Sequence, residues 1–284
     1  LAYTITLDAS VQRTAGTQLT GTLTQLDGCT YTSEEAGAQF TLSADGVVEG
    51  GVKTPAGTSF APLLAFATTY NNSADPTKFN DIAFIFNAVG AQSGGTTTSA
   101  YAGAGRLRNA GTMQFCVDDA AGFMVYDAGC TNTAKGYITY NADRNAYDYF
   151  ATDPAGSAVT TGGTLSGSII IGQVGAAIVP LQLVRESATG YGMRLLTAQD
   201  TLASGSADGD YTVVDSSGSG ATATIAGSAF TRAGTSATLA YDTPVAGVAE
   251  ASGALAGHLI YAGGIYGFVP SASDGAAFEL GVAN

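Results

Sequence analysis

Apolar and polar residues alternate at every second position through much of this sequence. Residues 3–7, 82–86, 211–214 and 237–241 are clear cases, and turns containing Gly or Asp separate such runs at intervals of about ten residues. Helical periodicity never persists for three turns; the best candidate, residues 197–203, is short. We therefore predict an all-β fold of antiparallel, sandwich- or barrel-like modules, with a β-propeller as the alternative.

The segment 136–171 shows the pattern most clearly. Residues 136–140 read as a strand, 141–145 supply turn residues, and 146–150 resume the strand pattern. A further strand-like run follows at residues 163–171. The segment therefore predicts a β-hairpin followed by a third strand.

Parts of this segment recur later in the chain. Residues 163–172 match residues 253–262, and residues 137–141 match residues 238–242, at spacings of about 90 to 100 residues. A fainter third copy begins at Phe40. Because the matches keep their order, we favour true repetition over a similarity of composition alone.

We interpret the chain as about three diverged tandem modules that could also pack as one continuous β structure. The modules are residues 1–78, 79–187 and 188–284. A six-bladed propeller would need two blades in each module, and the sequence shows no sub-repeat of half that length.

Composition limits the partners of such a chain. Hydrophobic residues make up 45 % of it and charged residues only 12 %, and the net charge is −13. This acidic balance argues against binding to nucleic acid or to anionic lipid. Apolar runs stay below the ~18 residues of a membrane-spanning helix. The first residues read as a trimmed product or as the interior of a longer precursor.

Three cysteines, Cys29, Cys116 and Cys130, allow one internal disulfide at most. The spacing of Cys116 and Cys130 favours a bond between them that staples a hairpin, with Cys29 unpaired or buried. Three buried thiols are the alternative. Without a CxxC pair and with a single histidine, the sequence does not predict a zinc site.

Acidic clusters are the candidates for metal or hydrolytic chemistry. Asp208 and Asp210, with Asp215 nearby, could hold Ca²⁺ through oxygen ligands, although the spacing is not that of an EF-hand. The adjacent pairs Glu34-Glu35 and Asp118-Asp119 point to opposite faces if extended. Solvated turn residues are the plainer interpretation. We expect no cofactor, and Ca²⁺ is the one ion considered.

Nucleophilic catalysis has little support. His258 is the only histidine, no G-x-S-x-G motif occurs, and the repeat places His258 where the preceding copy carries Ser168. We interpret His258 as structural and lean against an enzyme. The glycine-rich residues 102–105 precede Arg106 and Arg108, which superficially suggests an anion-binding nest. Since no helix follows, we prefer a glycine-rich β segment.

Tyrosines cluster on the central hairpin at Tyr137, Tyr140, Tyr147 and Tyr149. Together they could stack a sugar or a peptide, and they are our candidate ligand-binding residues. Carbohydrate-binding platforms usually contain Trp, which this sequence lacks, so we favour cross-strand packing among the rings.

The acidic, Gly/Ala/Ser/Thr-rich β-repeat sequence resembles exported Gram-negative surface proteins, including lipoproteins. Residues 263–268 and 277–281 resemble the closing strands of surface-lipoprotein barrels related to transferrin-binding proteins, over some twenty residues. The resemblance implies a periplasmic, outer-membrane-surface or extracellular location and a lipid anchor in a precursor. The lipid-bearing cysteine of such proteins does not stand among the first residues of this sequence.

We therefore expect a non-enzymatic, secreted or cell-surface binding or structural protein with a protein or glycan ligand. The alternative is a carbohydrate-active hydrolase, on a β-propeller or sandwich, that uses paired carboxylates.

Overall fold

The computed structural model is built from β-strands throughout its described part. It describes all residues except 1, 8–16, 23, 28–29, 34–37, 44–45, 53–60, 71–78, 80–81, 95–96, 118–121, 128–129, 144, 186–189, 217–218 and 272–277. No helix of membrane-spanning length and hydropathy occurs within these residues.

The first seven strands form two separate sheets. Strands β1 (Ala2–Leu7) and β2 (Thr17–Thr22) pair as an antiparallel ribbon. The next five form an antiparallel sheet in chain order: β3 (Thr24–Asp27), β4 (Thr30–Ser33), β5 (Ala38–Leu42), β6 (Val47–Val52) and β7 (Ala61–Phe66).

The following eight strands form a closed antiparallel barrel. They are β8 (Ile85–Gly94), β9 (Thr97–Leu107), β10 (Thr112–Cys116), β11 (Thr133–Asn141), β12 (Ala146–Thr152), β13 (Thr164–Val174), β14 (Ala177–Arg185) and β15 (Gly190–Ala198). Each strand pairs with the next in the chain, and β15 pairs with β8 to close the barrel.

A second closed barrel ends the chain. Its strands are β16 (Gly209–Asp215), β17 (Gly220–Ala226), β18 (Ala229–Arg232), β19 (Thr235–Tyr241), β20 (Val248–Gly253), β21 (Gly257–Ala262), β22 (Ile265–Pro270) and β23 (Glu279–Ala283). It has the same order, and β23 pairs with β16.

The prediction of an all-β fold with repeated barrel-like modules is confirmed by the two closed barrels, which are not propeller blades. The described strands of the predicted first module form a ribbon and a five-stranded sheet instead. Residues 190–198, which the sequence analysis assigned to the third module, form β15 and close the first barrel. Whether the three segments are separate folding units stays a prediction.

The two barrels have the same strand register all the way round. Ser168 lies opposite Asp148 as His258 lies opposite Glu250. Paired residues of the first barrel can be matched in this way to residues of the second, strand by strand. After all eight strands the matching returns to Ser168 and His258 without a shift. The repeat alignment of residues 137–141 with 238–242 is the same as this structural equivalence.

Alternation along the strands separates an interior face from an outer face in each barrel. Tyr147, Phe115 and Leu196 belong to the interior cluster of the first barrel, and Tyr211, Phe230 and Phe268 to that of the second. All are buried. Both interiors are therefore filled by side chains.

The outer faces of the two barrels pack against each other in one apolar cluster. Val89 and Leu195 of the first barrel share it with Ile260 and Leu280 of the second, each fully buried. Gly267 permits this approach, since a Cβ there would lie 2.6 Å from Val89 Cγ2. The two barrels therefore share one buried apolar interface.

A buried polar contact fixes the same interface. Asn87 is fully buried and donates from Nδ2 to the Ala246 carbonyl oxygen at 2.8 Å. Gln199 donates to Asn87 Oδ1 at 3.3 Å. Because a buried amide must find partners, this contact adds specificity to an otherwise apolar surface.

The five-stranded sheet is joined to the first barrel by backbone pairing. Thr69 forms an antiparallel bridge with Gly172, and Tyr70 N donates to Ile171 O at 2.8 Å. The Phe66 ring lies directly on Gly172, where a Cβ would clash with it. Val47 and Leu64 extend the core between the barrels. The sheet therefore packs on both barrels.

Candidate functional site

An open cleft lies on the first barrel where β8 begins and β9 ends. Its volume is about 340 Å³, and it is lined by residues 83–85 and 106–110. Alternation along β9 turns Leu107 into the interior and leaves Arg106 and Arg108 on the outer surface, one on each side of it. Two arginine residues therefore line the same cleft.

The cleft combines these charges with apolar surface. Phe84 packs against the barrel interior with its ring 6.4 Å from that of Phe86. Ile85 is 37 % exposed and adds apolar surface to the cleft. Asn109 is exposed at the rim. The cleft therefore offers a ligand positive charge, an apolar surface and a side-chain amide.

The backbone around the cleft is hydrogen-bonded on both sides. Leu107 N donates to Phe84 O at 3.0 Å, and Arg108 N donates to Thr112 O at 2.9 Å. Gly111 N closes the turn on Arg108 O at 2.8 Å. These bonds hold Arg106 and Arg108 on a defined stretch of wall and not on a long loop.

The barrel interior beneath the cleft offers almost no space. An enclosed apolar cavity of about 10 Å³ lies among residues that include Ile82, Met113 and Ile138. This is room for one water at most, and the lining has no polar group to hold it. A ligand would therefore bind on the outer surface at this end.

A third arginine, Arg194, lies inside the first barrel. The Arg194 guanidinium lies 4.3 Å from the Tyr101 ring centroid and 5.3 Å from that of Phe115. It donates to Gln182 Oε1 at 3.4 Å and to Gln92 Oε1 at 3.3 Å. Burial raises the pKa of the Tyr101 phenol, and the charge of Arg194 partly offsets this. Aromatic rings and amide oxygens thus solvate this cation.

The second barrel contains an ion pair in its interior. Arg232 Nε lies 2.5 Å from Glu279 Oε2, and the two side chains are 19 % and 3 % exposed. Tyr266 donates its hydroxyl to Glu279 Oε1 at 3.0 Å. The carboxylate is therefore engaged on both oxygens and is structural in character.

The four tyrosines proposed as a binding cluster lie on two different faces. Tyr140, Tyr147 and Tyr149 belong to the interior, where the rings of Tyr140 and Tyr147 are 5.4 Å apart. Tyr137 is stacked on Phe150 at 5.0 Å, and its hydroxyl donates to Gly162 O at 2.6 Å. Tyr140 is half-buried, and the other three tyrosines are buried. Cross-strand packing of the rings fits this arrangement.

The three aspartates proposed for Ca²⁺ are bonded separately. Asp208 Oδ1 accepts from Gly227 N and Asp210 Oδ1 from Thr224 Oγ1, each at 2.7 Å. Asp215 lies five residues beyond Asp210, about 17 Å along the strand, and accepts from Ser219 N. Within the described residues, no three His, Cys, Asp or Glu side chains come close enough together to hold a metal ion.

A disulfide joins Cys116 and Cys130, whose Cα atoms are 5.8 Å apart. It encloses part of the connection between β10 and β11, in which Met124 pairs with the β9 backbone through Ala102 and Ala104. The predicted thiol Cys29 and the acidic pairs Glu34-Glu35 and Asp118-Asp119 lie outside the described residues.

His258 lies between the barrels. It is on the outer face of β21, is 9 % exposed, and contacts Phe123 of the β10–β11 connection with ring centroids 5.7 Å apart. Burial lowers its pKa, and the Glu250 carboxylate opposes this shift. Its Nδ1 has no hydrogen-bond partner among the described residues. The contact is one of packing, as expected for a structural histidine.

The sequence suggests an anion-binding nest only superficially at Arg106 and Arg108 and favours a glycine-rich β segment there. Their spacing of two, with an apolar residue between them, was the available signal for two cations on one outer face. The approach of residues 83–85, which completes the cleft, has no such signal. Comparison of the chain with protein-family models, with curated proteins and with solved structures finds no match.

Proposed function

We propose that this chain is a non-enzymatic binding or structural protein of the cell envelope, or a secreted one. The proposal depends above all on one observation: two barrels filled by side chains pack through a shared apolar cluster. Such an assembly is a rigid scaffold. Barrels that enclose a ligand need an interior cavity, whereas this one presents its cleft on the outside.

Two features support export. Disulfides such as Cys116–Cys130 persist in oxidising compartments and are rare in the cytosol of most organisms. The acidic charge of −13 is compatible with a soluble or surface-displayed domain. A lipid anchor in a precursor remains part of the proposal through the resemblance to surface lipoproteins, and a protein or glycan is the expected partner.

Bonding of the carboxylates favours binding over hydrolysis. A glycoside hydrolase places two carboxyl groups about 5 to 10 Å apart across its substrate. Glu279 is instead paired with Arg232 and Tyr266 inside a barrel. Asp208 and Asp210 accept bonds from their own barrel.

The test is a paired screen of the purified chain. Glycan and peptide arrays should reveal saturable binding, while chromogenic glycoside and ester substrates should show no turnover above a buffer control. Turnover that disappears in Asp208→Asn, Asp210→Asn or His258→Gln, with the circular dichroism spectrum unchanged, would establish an enzyme and overturn the proposal.

A further inference from the structure

We propose that the cleft between residues 83–85 and 106–110 is a binding site for an oxyanion, a carboxylate or a phosphate carried on a small polar body. The inference rests on the proposed binding function and adds to it a place and a ligand class. Its core is a pair of exposed arginine residues, Arg106 and Arg108, which lie on one outer face and line one cleft.

These two cations differ from the other basic side chains that the structure describes. Lys135 donates to Gly156 O at 2.7 Å, Arg194 is held by two glutamines and two aromatic rings, and Arg232 is paired with Glu279. Arg106 and Arg108 have no side-chain hydrogen bond or ion pair with any described residue. Among the basic side chains that the structure describes, the two without a polar partner are thus the two that line the cleft.

Their position matters because the chain as a whole is acidic. With a net charge of −13, most of the surface repels anions, and a local pair of guanidinium groups creates a contrast in potential. Arginine offers a planar fork of donors that matches a carboxylate or phosphate and binds it more specifically than lysine does.

Size and shape limit the ligand. A volume of about 340 Å³ is at the lower end of the range for small-molecule sites, which fits a group of monosaccharide size better than a polymer segment. The exposed face of Ile85 and the amide of Asn109 can contact the ligand body while the guanidinium groups hold its charge. The site is therefore selective for charge first and for body second.

Glucuronate, glucose 6-phosphate and glucose form a matched set of probes. They share one ring and carry a carboxylate, a phosphate or no charge, and isothermal titration calorimetry of the full chain measures each affinity. We expect both anions to bind and glucose to bind at least about tenfold more weakly, because it lacks the charge-assisted bonds. Binding of one anion alone would identify which oxyanion the site takes. Raising the ionic strength should weaken the binding of the two anions and leave the binding of glucose unchanged.

Substitutions of the two arginines test whether the anions bind in this cleft. Arg106→Gln and Arg108→Gln should each weaken both anions several-fold and the double variant at least about tenfold, whereas Lys135→Gln, an equal change of charge elsewhere on the same barrel, should not. Arg106→Lys should recover part of the affinity. Because both arginines are exposed, the variants should keep the parent melting temperature.

Two outcomes overturn the inference. One is that neither anion binds; the other is that they bind equally to the parent and to the double variant. In either case a ligand found on the arrays whose binding survives in the double variant would leave the proposed binding function standing. Loss of the array ligand in that variant would instead connect both proposals to this cleft.

Discussion

Arg194 in the first barrel and Glu279 in the second occupy equivalent positions. Arg194 pairs with Gln182 on β14 as Glu279 pairs with Phe268 on β22, and the closed registers carry this equivalence around both barrels. By the same register, Phe115 corresponds to Arg232. At these equivalent positions, the first barrel therefore has a cation against an aromatic ring, and the second barrel has an ion pair.

Glu279→Gln should destabilise the protein strongly. The change leaves the Arg232 guanidinium inside the barrel without its counter-charge, and breaking a buried pair costs about 3–5 kcal/mol. Urea unfolding measures the loss. Asp200→Asn, at an exposed position, should change stability by less than about 0.5 kcal/mol. Equal effects of the two substitutions would show that the ion pair contributes little.

Arg194→Met should cost far less than Glu279→Gln, although both remove a charge at equivalent positions. Arg194 is half-buried without a carboxylate among the described residues, so its removal leaves no opposite charge behind. Lost contacts with the Tyr101 and Phe115 rings are offset by relief of desolvation, and we expect a change within about 1 kcal/mol. A loss as large as that of Glu279→Gln in the same urea experiment would contradict this expectation.

Stability should fall through His258 as the solution becomes acidic. Burial lowers the folded-state pKa of His258 below its ordinary value near 6.5, so the unfolded chain binds the proton more readily. The contribution is present above about pH 6.5 and is lost as pH falls through the folded-state pKa. Unfolding curves at pH 7.5 and 5.5 should therefore diverge more for the parent than for His258→Gln.

The Glu250 carboxylate opposes this lowering of the His258 pKa, so a Glu250 variant gives a second test in the same experiment. Glu250→Gln should enlarge the loss of stability between pH 7.5 and 5.5, because it removes the carboxylate that favours the imidazolium. Parallel pH dependence in the parent and in His258→Gln would show that folding does not lower the pKa of His258.

Removing the Cys116–Cys130 disulfide should destabilise the chain. The bond closes a loop of about 15 residues, for which the chain-entropy model gives about 3 kcal/mol, and Cys116→Ser with Cys130→Ser should show that loss in urea. Peptide mapping without reductant should find these two cysteines linked and Cys29 free. A bond from Cys29 to either one would refute the pairing.

Gly257→Ala should be costly because of a close backbone approach. A Cβ at this position would collide with the Val269 carbonyl oxygen on β22, and Gly167 meets Leu183 in the same way in the first barrel. We expect a loss of about 1–3 kcal/mol from the forced shift of the strands. Gly220→Ala is the matched control, since its nearest contact is Val213 O at 3.8 Å, and thermal melting should separate the two.

Alternation and recurrence were sufficient to predict the all-β fold and the repeat. The match of residues 163–172 with 253–262 was visible because both segments keep a glycine at the same position, Gly167 and Gly257. At each, a Cβ would collide with a carbonyl oxygen of the neighbouring strand. Hairpin lengths differ between the barrels, as in β13–β14 and β21–β22. A match of short segments was therefore more informative than a match of whole modules.

The site was less accessible to sequence reasoning. Period-two alternation separates the two faces of a strand but does not say which face becomes the interior until the sheet closes. Arg194 and Glu279 read as ordinary strand residues for that reason. The cleft depends on the approach of residues 83–85 to the end of β9, a long-range contact with no local pattern.

Closure of both barrels has a consequence for how this protein can meet other chains. A closed barrel has no strand edge with unpaired backbone groups, so neither barrel can accept an extra strand from a partner or from a second copy. Among the described strands, β3 and β7 each have one neighbour in the five-stranded sheet, and the residues just after β7 already bond to β13. Among the described strands, any strand-by-strand assembly of this protein should therefore begin at an edge of the five-stranded sheet or at the two-stranded ribbon, which precede both barrels in the chain.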